Sequence, residues 1–433
     1  MEDLSGQRVT VLGLGRFGGG IGVTRWLAEH GARVLVTDEA PPERLVESVG
    51  KLADLKYVEY RLGEHRQRDF SDADLVVTSP AVRPTHPMLG VARAAGVPVT
   101  LEIRLFIERC PARVVGVTGT KGKSTTTALL GRMLQQKFRT HVGGNLGGSL
   151  LPVLPQMSAT DVVVLELSSF MLEHLAPMRW SPQVAVVTMV SQDHLDWHGS
   201  VEAYHHAKAN LVRFQTTDDH AVLCRESPTA AGFATQTRGR VVSFDADSQP
   251  PFLLRTPGRH NQLNAQGAFA AAACMGVERN AAQLAIAGFA GLPHRLQVVR
   301  EHAGVAWVND SIATIPEAAV AANHAFPRGR VIQIVGGYDK KLDWGEMCRE
   351  LAGTCKAVLT IGQTGPQLAS LLRASRPVGE VWECGDLDRA VAAAKAIAEP
   401  GDVVLLSTGT ASYDQFPNFE KRGEAFTALA HRE

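Results

Sequence analysis

Short runs of β-branched and aliphatic residues alternate along the chain with Ala- and Leu-rich amphipathic stretches. The first such runs, Arg8–Leu12, Arg33–Thr37 and Leu75–Thr78, are almost continuously apolar, and a helical pattern near Ile21–Glu29 separates the first two. A strand buried on both faces loses the in–out alternation, and joining two parallel strands needs a crossover, usually a helix. The pattern therefore predicts parallel α/β sheets. After a helical stretch at Glu102–Arg109, strands are expected at Arg113–Val117, Asp161–Leu165 and Gln183–Met189, with a helix at Ser124–Gln136. A third series begins near Gly291 and holds strands at Ala306–Val308, Val331–Val335, Ala357–Ile361 and Val403–Leu406. No internal repeat is visible. The expected division is 1–106, 107–290 and 291–433, and a chain of 433 residues is long enough for about three domains at roughly 150 residues each.

Composition narrows the function classes. The hydrophobic share of 45% against 20% charged residues supplies enough apolar material for packed cores. Lys+Arg and Asp+Glu are both 44, so no basic excess points to nucleic acid or a membrane surface. The six cysteines, Cys110, Cys224, Cys274, Cys348, Cys355 and Cys384, form no C-x-x-C pair and read as reduced thiols. The N-terminus runs into a strand pattern without a charged-then-apolar signal layout, and no apolar run approaches a membrane span. A cytoplasmic location is expected.

The stretch Val114–Thr126 carries the strongest chemical signal. A strand ends, a Gly- and Thr-rich turn follows (Thr118, Gly119, Thr120, Lys121, Gly122), and a helix opens with Lys123, Ser124 and Thr125. A helix N-terminus offers free amides and a positive dipole end to an anion. Lys123 can reach outer phosphates, and the Ser124 hydroxyl can bind Mg²⁺. The usual phosphate-loop motif has a glycine where Val117 stands, so the textual match is partial.

A second glycine loop lies at the N-terminus. Gly13, Gly15 and Gly18 fit G-x-G-x-x-G, and Asp38 follows 20 residues after Gly18 at the end of the next strand. This suggests either a nucleotide site with Asp38 on a ribose or close packing of helix on strand, and both readings stay open. Further along, Glu166 closes a strand, where open α/β sheets bind ligands and a carboxylate can hold Mg²⁺. His194 and His198 have i, i+4 spacing, which could suggest zinc on a helix. The Gly199 turn and the lack of a third ligand argue against it, and a hard cation shared with phosphate is more economical. Lys208 reads as an ordinary helix lysine.

Taken together, the motifs resemble the Mur ligase family, most closely its glutamate-adding branch, over essentially the whole chain. The matching pieces run in order: Thr118–Ser124, Gly144-Asn-Leu-Gly147, Glu166-Leu-Ser-Ser-Phe170, Asp193-His194 with Lys208, Gly258–Asn264, Leu292–Arg295, Asn309-Asp-Ser311, Gly336-Gly337 with Lys340, and Ser412–Phe419. The resemblance implies an α/β chain of three domains: a Rossmann-like first domain for a UDP-substrate, a central phosphate-loop ATPase domain with a mostly parallel sheet, and a Rossmann-like C-terminal domain for glutamate. It implies ATP and Mg²⁺, with Lys123 and Ser124 on the phosphates and the metal. Glu166, His194 and Lys208 would be further metal ligands, Lys208 matching a lysine that the family carbamylates. Asn261, Asn264, Arg295 and Asp310 match ATP-side contacts, and Asn145 a contact to ATP phosphate or the substrate. Gly15, Arg16, Phe17, Asp38, Ser79 and Ser168 fall on the UDP-substrate side, and Thr314, Lys340, Ser412 and Phe419 on the glutamate pocket. The implied partners are UDP-N-acetylmuramoyl-L-alanine and glutamate, with no nucleic acid and no membrane, and a monomer is expected.

The chain departs from the family pattern in places. Ile312 stands where N-D-S-K-A-T-N has lysine, and Ile315-Pro316 follow Thr314. Ala81 replaces a frequent glycine, and Met171 replaces a polar residue. The altered third domain keeps an L-glutamate-adding ligase open beside the D-glutamate one, as well as a folylpolyglutamate-type ligase, against which the UDP-type first domain argues. A nicotinamide-dependent oxidoreductase would leave the second loop and Glu166 unexplained. A non-catalytic nucleotide-binding protein would leave Lys123, Glu166, His194 and Lys208 without a purpose.

Overall fold

The computed structural model of the chain describes residues 4–15, 19–256 and 258–432. Three sheets are built in chain order. The first contains β1 (Arg8–Leu12), β2 (Arg33–Asp38), β3 (Val58–Leu62), β4 (Leu75–Thr78) and β5 (Val99–Leu101), in the order β3-β2-β1-β4-β5 with every pairing parallel. The second contains β6 (Arg113–Thr118), β7 (Thr140–Gly144), β8 (Val162–Glu166), β9 (Val184–Val187), β10 (His220–Cys224) and β11 (Arg240–Phe244). Its order is β11-β10-β9-β6-β8-β7, again all parallel. The third contains β12 (Gln297–His302), β13 (Val305–Asn309), β14 (Val331–Gly336), β15 (Ala357–Ile361), β16 (Glu380–Gly385) and β17 (Val403–Leu406). It runs β12-β13-β17-β14-β15-β16 and is mixed, because the hairpin strand β12 lies antiparallel to β13.

The central strands are apolar because both their faces are covered. All of β8 is buried, and so is all of β14. Along β14 the side chains alternate between two cores: Val331 and Val335 join Leu351 and Leu368, whereas Ile332 and Ile334 join Trp307 and Phe426. Gln333 is buried on the face of Val331 and Val335, and its amide donates to the Ala319 and Ser407 carbonyls, at 3.2 and 2.9 Å. A buried amide without those acceptors would cost more than it contributes.

In all three sheets the chain reverses its strand order around one strand, which opens a crevice at the carboxyl ends. In the first sheet this places the loops after β1 and β4 side by side. In the second it does so for the loops after β6 and β8. Two compact units are distinguished, one of Met1–Phe252 with Leu263–Ile286 and one of Leu253–Gln262 with Ala287–Glu433. The first holds the first two sheets, the second holds the third.

Candidate nucleotide-phosphate site

Strand β6 ends at Thr118, whose hydroxyl donates to the Leu167 carbonyl at 2.8 Å. The chain then turns through Gly119 (φ +154°) and Gly122 (φ +87°) into the helix Lys123–Leu134. A Cβ on Gly119 would fall 2.0 Å from Thr188 Oγ1, and one on Gly122 would fall 2.3 Å from Asn264 Oδ1. Only glycine lets the loop close against these side chains. Thr188, just past β9, donates its hydroxyl to the Thr118 and Lys121 carbonyls, at 3.1 and 2.7 Å. The Met189 carbonyl accepts from the Thr120 and Lys121 amides, at 2.7 and 3.2 Å. The loop is thus held from outside, and the first turn with Lys123, Ser124 and Thr125 follows directly.

Lys208 lies on the helix Val201–Arg213 and is only 1% exposed. Its ammonium donates to the Gly119 carbonyl at 2.8 Å and stands 4.5 Å from the Tyr204 ring centre. Burial pushes its pKa well below the usual lysine range; nearby Lys123 adds to the effect, and Asp193 and Glu166 oppose it. The Lys123 ammonium donates to the Thr120 carbonyl at 3.1 Å. Tyr204 also meets the Thr120 hydroxyl at 2.9 Å. Tyr204 and Lys208 share one helix face four residues apart.

Glu166 closes β8 and is 1% exposed. One carboxylate oxygen accepts from the Asn145 amide at 3.0 Å, while Oε2 is buried with no hydrogen-bond partner among the described residues. A buried anionic oxygen left bare is costly unless something positive meets it. With the loop hydroxyls it makes a hard-oxygen donor set that fits a divalent cation bound alongside phosphate. His194 sits exposed in the left-handed region (φ +50°), its ring 4.8 Å from that of Phe170. His198 stacks on Phe170 at 5.6 Å and bonds the Ser169 hydroxyl at 3.0 Å, and burial with the charge of Lys208 lowers its pKa to about 4. His194 precedes the four-residue helix Leu195–His198 and His198 is its last residue before Gly199, so the two do not share one long helix.

On the first sheet, Asp38 takes an unexpected part. Its Oδ2 accepts from the Leu14 and Gly15 amides, at 2.9 and 3.2 Å, and its Oδ1 from the Ala40 amide at 2.9 Å. The carboxylate therefore fills the amides of the glycine loop from within. Ser79 packs beside Gly13, and its hydroxyl accepts from the Ala81 amide at 3.4 Å. Arg16, Phe17 and Gly18 lie outside the described residues. Ser168 caps the helix Ser169–Leu175, accepting from the Met171 amide at 3.2 Å.

In the second unit, Asp310 is buried, and accepts from the Leu296 amide at 3.1 Å and the Ser407 hydroxyl at 2.7 Å. Burial raises its pKa to about 6, against these bonds and the charge of Arg295. Asn261 is buried at the start of the helix Arg259–Cys274. Lys340 donates to the Thr314 carbonyl at 3.5 Å, and burial and Arg422 lower its pKa. Phe419 begins the helix Phe419–His431, and its carbonyl accepts from Ser311 at 2.8 Å. Ser412 is buried, and its carbonyl turns the chain by accepting from the Phe416 amide at 2.8 Å. Arg422, unforeseen in the sequence, is 1% exposed and donates to the Ser311 hydroxyl and carbonyl, at 2.9 and 2.8 Å. At Ile312 the backbone amide donates to the His294 carbonyl at 3.1 Å. Thr188, Tyr204 and Arg422 are the site residues sequence reasoning missed. Only Tyr204 left a signal, its helical spacing from Lys208.

Comparison with known proteins covers all three sheets. Residues 7–101 match the N-terminal domain of MurD-like Mur ligases, 117–253 the Mur ligase middle domain, and 294–409 the Mur ligase glutamate ligase domain. The UDP-N-acetylmuramoylalanine–D-glutamate ligase of Roseiflexus sp. (strain RS-1) is 43% identical, with 99% of each chain covered. The ligase of the same name from Anaeromyxobacter dehalogenans (strain 2CP-C) is 41% identical, over 99% of this chain and 98% of its own. Among solved structures, the UDP-N-acetylmuramate-alanine ligase MurC of Thermotoga maritima superposes with a TM-score of 0.63 at 20% identity, covering 98% of both chains. FolC of E. coli, solved with DHPP and ADP, gives 0.53 at 22% identity over 76% of this chain and 92% of its own.

Proposed function

Because the chain belongs to the Mur ligase family, we propose that it is the ATP-dependent ligase that joins D-glutamate to UDP-N-acetylmuramoyl-L-alanine in peptidoglycan synthesis. The observation that carries the reading is the group at the carboxyl end of the second sheet. There a glycine loop, Lys123, the buried amine of Lys208 and the bare Glu166 Oε2 meet the needs of phosphoryl transfer to a carboxylate. The substrate carboxylate attacks the γ-phosphorus of ATP and ADP leaves, forming an acyl phosphate. The glutamate amine then attacks the acyl carbon, losing a proton, and phosphate departs.

Each of the chain's own groups has a place in this scheme. The loop amides and the helix N-terminus hold the phosphates, and Lys123 balances charge on the transferred group. Ser124, Glu166, His194 and Lys208 would hold Mg²⁺. A bound Mg²⁺ would supply neutralisation of the phosphoryl oxygens. The depressed pKa of Lys208 supports carbamylation, because only the neutral amine adds CO₂. Gly15, Arg16, Phe17, Asp38 and Ser79 are assigned to the UDP side with Ser168, and Asn145, Asn261, Asn264, Arg295 and Asp310 to ATP. Thr314, Lys340, Ser412 and Phe419 are assigned to glutamate. The corresponding domains are 1–106, 107–290 and 291–433. The enzyme acts as a cytoplasmic monomer without nucleic acid or membrane. Among the described residues no helix is long and apolar enough to cross a membrane.

A second reading, the same reaction with L-glutamate, is favoured by one observation: Ile312 supplies no cation where the family has lysine. The test is to incubate the protein with ATP, Mg²⁺, UDP-N-acetylmuramoyl-L-alanine and either glutamate isomer, following phosphate release and product mass. Product from D-glutamate is expected. Product from L-glutamate alone moves the assignment to the second reading, and no phosphate release with either isomer overturns both.

A further inference from the structure

A side-chain cluster outside the phosphate site lies at the carboxyl end of the first sheet. Glu39 follows β2, His65 follows β3, and His86 precedes the helix Pro87–Ala94 beyond β4. One ligand atom from each of the three lies within 4.8 Å of the others. His65 Nε2 and His86 Nε2 stand 3.7 and 3.8 Å from the same Glu39 oxygen, and the two imidazole rings meet edge to face at 5.8 Å. They line a cavity of about 440 Å³ together with Gly13, Asp38 and Arg83.

The spacing matches a metal chemistry. Zinc bound at about 2.0–2.1 Å in a tetrahedron sets its ligand atoms about 3.4 Å apart. The two histidine–Glu39 distances exceed this by only about 0.3–0.4 Å, and the two histidine nitrogens lie within 4.8 Å of each other. When His65 ligates through Nε2, its Nδ1–H can donate to the Thr37 hydroxyl, 2.6 Å away. A donor bond from the far ring nitrogen is the usual support of a ligating histidine. Asp38 and Asp69 add negative charge around His65. His86 Nδ1 accepts a long 3.3 Å bond from the Met88 amide, which metal binding would give up. Two imidazoles and one carboxylate suit a borderline cation such as Zn²⁺, Co²⁺ or Ni²⁺ better than Mg²⁺.

From this geometry we propose that Glu39, His65 and His86 form a binding site for a zinc-like divalent cation, with the fourth coordination position open to the cavity. The site shares its cavity with Asp38, which is assigned to the UDP side, and is separate from the hard-cation site at Glu166. The test uses the full-length protein with Mg²⁺ in large excess and Co²⁺ as the probe. One equivalent of Co²⁺ giving the intense visible absorption of a tetrahedral site is expected. Glu39→Gln changes an exposed side chain, and His86→Asn keeps an acceptor for the Met88 amide while removing the ring nitrogen. Both should weaken Co²⁺ binding at least tenfold with unchanged circular dichroism. Absence of the absorption, or binding unchanged in both variants, overturns the site.

Discussion

The two glycine loops of the first unit begin alike and end differently. Each follows the first strand of a parallel sheet, and each sits where the strand order reverses. In the N-terminal loop the Leu14 and Gly15 amides are already taken by the Asp38 carboxylate. A carboxylate of the chain itself already satisfies these amides. In the Thr118–Ser124 loop the backbone is fixed by the Thr188 hydroxyl and the Met189 carbonyl, and the Lys123 ammonium donates to the Thr120 carbonyl of the loop. Glycine spacing sets only the turn. What the loop amides and carbonyls bond to differs between the two turns.

The sharpest break in that contrast is Lys123→Ala. Turnover should fall by about 10³-fold, with the melting temperature within a degree or two of the parent, because a cation acting on transferred phosphate is lost and little packing is removed. Near-normal phosphate release would take the loop out of the mechanism. Lys208→Met should also cost at least about 10²-fold in kcat, yet raise the melting temperature at pH 7. The folded state holds the ammonium poorly, so the penalty is present at neutral pH and fades as pH rises toward the ordinary lysine pKa. A lower melting temperature in calorimetry would show that the buried amine stabilises the fold.

Asp38→Asn probes the other loop. The amide offers one acceptor oxygen where the carboxylate uses two, so it turns a donor on a backbone N–H. A loss of about 1 kcal/mol in denaturant unfolding is expected, along with a higher KM for the UDP-substrate and a nearly unchanged kcat. A lower KM would mean that the carboxylate repels the substrate. The smallest effect concerns the helix Glu102–Arg109, which leads from the first sheet toward the second. Burial raises the Glu102 carboxyl to about 7, although Ser149 donates to it at 2.5 Å. A raised acid favours the folded state below its unfolded pKa, and that gain is lost as pH rises through about 7. Glu102→Gln should leave stability at pH 4 unchanged and raise it slightly at pH 8. Parallel pH–stability curves for variant and parent would show that Glu102 titrates normally.

Much of the fold is legible in the amino-acid order. β1, β2, β4, β6, β8, β9, β13, β14, β15 and β17 fall within a few residues of expectation, because a strand covered on both faces must be almost wholly apolar. Unforeseen were β3, β5, β7, β11, β12 and β16, which are the outermost strands of the three sheets, and the inner strand β10. An outer strand is partly solvated and accepts polar residues, as in Val58-Glu-Tyr-Arg-Leu62 and Glu380-Val-Trp-Glu-Cys-Gly385, so its pattern fades. β8 starts at Val162, one residue later than expected, and the Asp161 amide before it closes a turn by donating to the Ser158 carbonyl at 3.1 Å.

The sequence by itself determined the three sheets, the phosphate loop and the residues gathered around it, since local propensity and motif spacing are written in neighbouring positions. Only the tertiary structure decided how those groups are charged and occupied. It turned Asp38 inward on the loop amides, left Glu166 Oε2 bare, made Lys208 a poor proton holder, and brought Glu39, His65 and His86 together from three separate loops. Burial and through-space contact belong to the folded chain, and no run of residues encodes them locally.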